Sequence, residues 1–152
     1  MPAIKYISVI AALMMAVLTS CSSETCEEPY DALINMTLKS DSDPDAEAID
    51  SITVFGEGME EFLLYDTLSL SGIELPLFPG AESVSFIVRH GLFTDTVNIT
   101  YSSELQFISK SCGYSFFYRI NEVSHTTNSI SRILIINDYI TPGYEENLRA
   151  FF

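Results

Sequence analysis

The sequence predicts an all-β protein: an antiparallel β-sandwich, Ig-like or closed into a flattened barrel, of about eight to nine strands. Three observations predict it. Beyond residue 30 the apolar residues recur at alternate positions in short runs, the pattern of strands with one buried face. These runs are rich in Val, Ile, Thr, Phe and Tyr, which fit a pleated surface, and glycine or proline punctuates them at Gly56, Gly58, Gly72, Pro79-Gly80, Gly91, Gly113 and Pro142-Gly143. After residue 20 no stretch of comparable strength follows the 3.6-residue period of a helix. Connections this short favour antiparallel pairing, because a parallel pair needs a long crossover.

The chain opens differently. Tyr6 to Leu18, YISVIAALMMAVL, is an uncharged, mostly apolar run of thirteen residues behind Lys5. A basic flank followed by such a run is the layout of a secretory signal peptide, and it is too short to cross a bilayer as a helix. It ends in Leu18-Thr19-Ser20-Cys21, which resembles the lipobox of bacterial lipoproteins. The resemblance implies that residues 1–20 are a lipoprotein signal peptide, that the Cys21 sulfur takes a diacylglyceryl group, and that the mature chain begins there. A thiol suits this role because it is the stronger nucleophile. The alternatives are an ordinary signal peptide with a cysteine near its cleavage site, or an apolar core helix. Residues 21–29 are then a lipidated tether and residues 30–152 the β-sandwich domain, with lipid as the membrane attachment; two or more acyl chains anchor a protein stably where one does not.

Without residues 1–20 the chain keeps 21 acidic residues and six of its seven basic ones, a net charge of −15. Such a chain is repelled by nucleic acid and by anionic surfaces, so no nucleic-acid partner is expected. With Cys21 lipidated, Cys26 and Cys112 remain as an even pair in an exported chain, which favours a disulfide over two free thiols. A metal site is a poor alternative: Cys21-Ser-Ser-Glu-Thr-Cys26 lacks suitable partners, and His90 and His125 are isolated.

The expected elements run in order. Ala32, Ile34, Met36 and Leu38 alternate with polar residues and open the domain as a strand; SDSDPDAEAID, residues 40–50, is a loop. Ile52 and Val54 mark the next strand, Phe62, Leu64, Leu68 and Leu70 another, and Ile73, Leu75 and Leu77 a third. Val84, Phe86 and Val88 run into His90-Gly91, and Phe93, Val97, Ile99 and Tyr101 leave it, as in a hairpin with glycine in its turn. LQFIS, YSFFYRINEV, SISRILIIN and NLRAFF complete the set, and the alternation of Leu148, Ala150 and Phe152 predicts a C-terminus paired into a sheet.

Chemistry-bearing patterns are sparse. Asp41-Ser-Asp-Pro-Asp-Ala-Glu47 alternates carboxylates as calcium loops do, but Ala46 and Ile52 stand where an EF-hand needs glycine and glutamate. Glu57, Glu60, Glu61 and Asp66, or Glu145 and Glu146, could furnish the carboxylate pair of a glycosidase, although nothing in the sequence sets their separation. Nucleophile elbows and phosphate-binding glycine loops are absent. His90 falls in an expected turn and His125 in a polar loop, both solvated. Neither catalytic residue, metal nor cofactor is expected. Tyr114, Phe116 and Tyr118 share one strand face with Phe117 and Arg119 on the other, which suits either core packing or sugar binding. Asp50-Ser51-Ile52, Asp66-Thr67-Leu68 and Asp95-Thr96-Val97 are similar to the O-glycosylation motif of exported proteins in Bacteroidetes-type bacteria, with Ser51, Thr67 and Thr96 as acceptors.

At TDTVNITYSSELQFISKSCGYSFFYRI, residues 94–120, the chain resembles a family of small Bacteroidetes lipoproteins of unknown function. Cys26, the Leu75-Pro76-Leu77 step and the closing Asn147-Leu-Arg-Ala-Phe-Phe strand fit as well. The resemblance implies an export-targeted β domain, supports pairing Cys26 with Cys112, and carries no catalytic residues. Ser22 stands where an inner-membrane retention signal would have Asp, which implies the outer membrane, on its surface or periplasmic face. The expected function is therefore that of a lipid-anchored, non-enzymatic accessory or binding module of the cell envelope, contacting an envelope protein or glycan. The alternatives are a glycan-acting enzyme with paired carboxylates and a periplasmic assembly partner.

Overall fold

The computed structural model describes Cys26, residues 31–43 and residues 45–152. The expected signal peptide, Cys21 and all of the tether at 21–29 except Cys26 lie outside the described residues. Ten strands are present among them, one or two more than expected: β1 (Leu33–Lys39), β2 (Ile49–Gly56), β3 (Leu63–Leu70), β4 (Gly72–Pro76), β5 (Ser83–His90), β6 (Phe93–Ser109), β7 (Gly113–His125), β8 (Arg132–Ile135), β9 (Tyr139–Ile140) and β10 (Leu148–Phe151). They form a four-stranded sheet in the order β4-β1-β10-β8 and a six-stranded sheet in the order β3-β2-β5-β6-β7-β9. The fold is an all-β sandwich and not a closed barrel.

Alternation decides which side chains fill the space between the sheets. From β1, Ile34, Met36 and Leu38 point inward with Ile73 and Leu75 of β4 and Leu148 and Ala150 of β10. Opposite them lie Ile52 and Val54 of β2, Phe86 and Val88 of β5, and Val97, Ile99 and Tyr101 of β6. Each large aliphatic or aromatic side chain withdrawn from water in this way contributes about 1.5–3 kcal/mol. Tyr101 brings a polar atom into this core, and its hydroxyl lies 3.2 Å from both the N and the O of Phe78.

One pairing departs from the antiparallel expectation. β1 and β10 run parallel, Met36 opposite Leu148 and Lys39 opposite Phe151. The two strands lie at opposite ends of the chain, so no short connection constrains their direction, and the intervening strands serve as the crossover. The buried Asn147 fixes the register: its side-chain oxygen accepts from the Asn35 N–H at 3.0 Å, and its own N–H donates to the Asn35 carbonyl at 2.9 Å. The C-terminal strand is thus paired, as its alternation predicts, and the Phe152 N–H donates to the Lys39 carbonyl at 2.9 Å.

β3 and β4 are consecutive, both stand at a sheet edge, and only Ser71 separates them. They stand on the same side of the sandwich, one at the edge of each sheet. Across it the Tyr65 hydroxyl accepts from the Glu74 N–H at 2.8 Å, satisfying one of the edge donors of β4. The apolar residues of β3 reverse the sequence expectation: Phe62, just before the strand, and Leu64 and Leu68 within it face solvent, with Phe62 74% exposed. β2 pairs with β3 through register shifts between Ile49 and Ile52, Ile52 and Val54, and Val54 and Phe55. Such bulges turn an edge strand away from the sheet, so alternation in β3 does not translate into a buried face.

Candidate functional site

The open β3/β4 side carries an apolar groove of about 370 Å3, lined chiefly by Met59, Phe62, Leu64, Pro76, Phe78 and Val84. Its position follows from the chain's local logic. The β2–β3 connection turns at Gly58, whose φ of 76° suits glycine, and sets Met59 and Phe62 beside the strand. The β4–β5 connection turns at Gly80, with φ of 88°, and leaves Phe78 outside the core. Met59 is 53% and Phe78 52% exposed. Glu57 lines the groove, and Glu60 and Glu61 are exposed in the same connection, so its rim is acidic. A groove of this kind can bury an apolar side chain and favours a cation beside it.

A second, polar cleft of about 580 Å3 lies on the outer face of the four-stranded sheet, lined by Asn35, Thr37, Lys39, Glu74, Tyr144 and Glu146 among others. Glu146 holds Arg149 at 2.5 Å. Hydrogen bonding from the Arg149 guanidinium, helped by Thr37 and Lys39, keeps the Glu146 carboxyl below its ordinary range. A general acid needs the opposite shift. Glu145 does not face it; it accepts from Asn137 at 3.2 Å.

On the outer face of the six-stranded sheet, Glu104 and Gln106 of β6 meet Tyr139 of β9. Tyr139 donates to Glu104 at 2.7 Å, which is the main cause of a lowered Glu104 pKa and a raised Tyr139 pKa. The Arg119 guanidinium covers the Tyr139 ring at 5.1 Å and pairs with Asp138 at 2.7 Å. These groups satisfy one another.

The sequence-predicted residues are distributed as follows. Cys26 and Cys112 form a disulfide, with Cα atoms 4.8 Å apart across 86 residues of sequence. Of the calcium-like loop, Asp41 is taken by Arg132 at 2.9 Å and by the Ser131 hydroxyl, and the Asp43 carboxylate accepts from the Asp45 N–H at 3.2 Å. His90 and His125 end strands instead of lying in loops, and both are half-buried. His90 packs edge-on against Phe152 at 5.4 Å, and Nδ1 of His125 lies 2.7 Å from the Thr126 carbonyl oxygen. Along β7, Tyr118 is buried, Phe116 packs against the core and Tyr114 is exposed.

The three Asp-hydroxyl-aliphatic tripeptides separate. Ser51 and Thr67 are exposed and occupy the left-handed region, with φ of 56° and 51°. Thr96 is half-buried within β6, and its neighbour Asp95 is fully buried. Asp95 accepts from the Thr126 hydroxyl and the Asn128 N–H at one oxygen and from the Ser129 and Ile130 N–H groups at the other. Its role is to hold residues 126–130, a role absent from the sequence reading. The signal was present: Asp95 shares the alternation of Val97, Ile99 and Tyr101, which puts a carboxylate on the inward face and demands donors.

No curated protein and no solved structure matches the chain. The sequence profile of a family of unknown function, DUF6452, matches residues 51–152, from β2 through the C-terminal strand and so two-thirds of the chain. The protein belongs to that family.

Proposed function

We propose that the protein is a lipid-anchored accessory or binding module of the cell envelope, attached to the outer membrane through Cys21 and without catalysis of its own. The observation that carries this reading is the Cys26–Cys112 bridge. Disulfides persist in oxidising compartments, and this one begins five residues after the lipobox cysteine. The binding surface is the apolar groove between Met59, Phe62, Leu64 and Phe78, and the occupant it suits is an apolar side chain of an envelope protein flanked by basic residues, matching Glu57, Glu60 and Glu61. Exposure favours Ser51 and Thr67 over the half-buried Thr96 as O-glycan acceptors.

Cys21→Ser tests the anchor. The variant is expected to leave the membrane fraction, and its retention there would refute the reading. A photo-crosslinker in place of Phe62 tests the groove: an adduct with an envelope protein is expected, lost when Phe78 is changed to Asp. Saturable turnover of an envelope glycan, abolished by one carboxylate substitution, would show an enzyme instead. An intact mass equal to that of the lipidated polypeptide alone would exclude glycosylation.

A further inference from the structure

The hairpin of β6 and β7 reaches past the core. Tyr101 and Tyr118, in edge-to-face contact at 5.6 Å, are the last fully enclosed layer of its inner face. Cross-strand partners share a face; Tyr118 is opposite Ser103, and beyond that layer the pairs are Leu105 with Phe116 and Phe107 with Tyr114. Leu105, Phe107 and Tyr114 are 57%, 56% and 62% exposed. The Phe107 and Tyr114 rings touch each other at 5.3 Å. The inner apolar stripe thus continues into solvent, toward a tip that holds Cys112.

The strands of this tip are poor in charge. Residues 105–118, LQFISKSCGYSFFY, contain a single charged residue, Lys110, in a chain with 21 acidic residues. The tip is also the part of the fold covalently nearest to the lipobox cysteine. Five residue steps separate Cys21 from Cys26, at most about 18 Å of extended chain, and the bridge adds 4.8 Å between Cα atoms. The other end of β6 lies about 46 Å from Phe107, fourteen residues at strand rise. The leash therefore brings this apolar end of the hairpin to the bilayer, and holds away from it the β5–β6 turn, where Leu92 and Phe93 are also exposed.

We propose that the β6–β7 tip is a membrane-docking face: Leu105, Phe107 and Tyr114 enter the interfacial layer of a phospholipid bilayer and Lys110 meets lipid phosphates. This rests on the lipid anchor at Cys21. Tyrosine suits such a position, with its ring in the apolar layer and its hydroxyl at the headgroups. Docking fixes the orientation of the sandwich, with the β5–β6 turn at Leu92 pointing away from the membrane.

The chain has no tryptophan, so an introduced one reports its own surroundings. The full chain, exported and acylated by a bacterial host, is reconstituted into phosphatidylethanolamine–phosphatidylglycerol vesicles with brominated acyl chains. Phe107→Trp and, separately, Tyr114→Trp are expected to lose about half their emission, as for groups buried 5–10 Å in the headgroup boundary. Leu92→Trp is expected to lose none. Mass spectrometry and vesicle flotation read the anchor independently. A chain without acyl mass at Cys21 refutes the anchor and the docking face together. An acylated, floating chain whose tryptophans at 107 and 114 are quenched no more than that at 92 refutes the docking face alone.

Discussion

Asp95→Asn is the substitution whose cost the structure defines most closely. One carboxylate oxygen accepts from the Thr126 hydroxyl and the Asn128 N–H, both at 2.7 Å; the other accepts from the Ser129 N–H at 2.7 Å and the Ile130 N–H at 2.9 Å. Asparagine keeps the first pair and turns an NH2 group toward the second, so two backbone donors lose their acceptor. Hydrogen bonds to a charged group contribute about 1.5–3 kcal/mol each, and the loss of two comes to about 3–6 kcal/mol. A domain of this size has about 5–15 kcal/mol in all, so urea unfolding followed by circular dichroism at pH 7, with the disulfide intact, should show a large midpoint shift. The pH dependence follows from the same contacts. Burial alone raises the Asp95 pKa, but the four hydrogen bonds outweigh it and hold the carboxyl below its ordinary 3.8. A depressed native pKa gives stability that is full above the unfolded value and is lost as pH falls through the native one. The wild type should therefore lose stability below about pH 4, and Asp95→Asn should lose less over the same range. A cost under about 1 kcal/mol at neutral pH, or an acid limb identical in both proteins, would refute the assignment.

Three further outcomes are expected. Cys112→Ser, or reduction of the wild type, should lower stability by about 4–5 kcal/mol in the chain-entropy account of a loop of this length; an unchanged urea midpoint would mean that the bridge constrains nothing. Ser51→Gly should raise stability by about 0.5–1 kcal/mol, because glycine adopts a left-handed φ without a Cβ clash, and a measured loss would contradict that backbone conformation. Tyr101→Phe should cost about 1 kcal/mol by removing the hydroxyl that meets Phe78 N and O; no change in thermal unfolding would show that water replaces it at no cost.

Alternation was a good guide wherever a strand has neighbours on both sides. β1, β5, the first half of β6 and β10 lie where their apolar residues place them, and the pattern of Leu148 and Ala150 carried the C-terminus into the sheet. It holds at the edge strand β4, where Ile73 and Leu75 are buried, and fails at the edge strand β3, because period two says that a strand has two unlike faces and not that something covers either of them. Phe62, Leu64 and Leu68 have the spacing of a buried face and no opposing layer. The parallel β1–β10 pair was illegible for a related reason: local connection lengths limit neighbours in sequence, and these strands are joined only through tertiary contacts such as Asn35 with Asn147. Cys26 with Cys112 was legible because, with Cys21 set aside as the expected lipid attachment, counting thiols leaves one pair.

The exposed apolar residues on β3 raise the hazard that an edge strand pairs with a second chain. Two features oppose it. The register shifts against β2 interrupt the straight row of donors and acceptors that an incoming strand would need, and Ser51 and Thr67 sit in left-handed conformations there. For a β-branched residue such a conformation persists only when its surroundings enforce it; at Thr67 they include the Thr53 hydroxyl, which accepts its N–H at 3.0 Å, and Asp66, which accepts its hydroxyl at 3.0 Å. The edge is bent and carries Asp66, with Glu60 and Glu61 in the preceding turn, while β4 has one edge N–H already satisfied by Tyr65. Strand addition is thereby disfavoured on both edges of this side, whereas the groove between them stays open to an inserted side chain. Recognition there should then depend on the shape and charge of an anchor residue, so that Phe78→Asp blocks it, while substitutions that only change exposed side chains on the outer edge of β3 leave it intact.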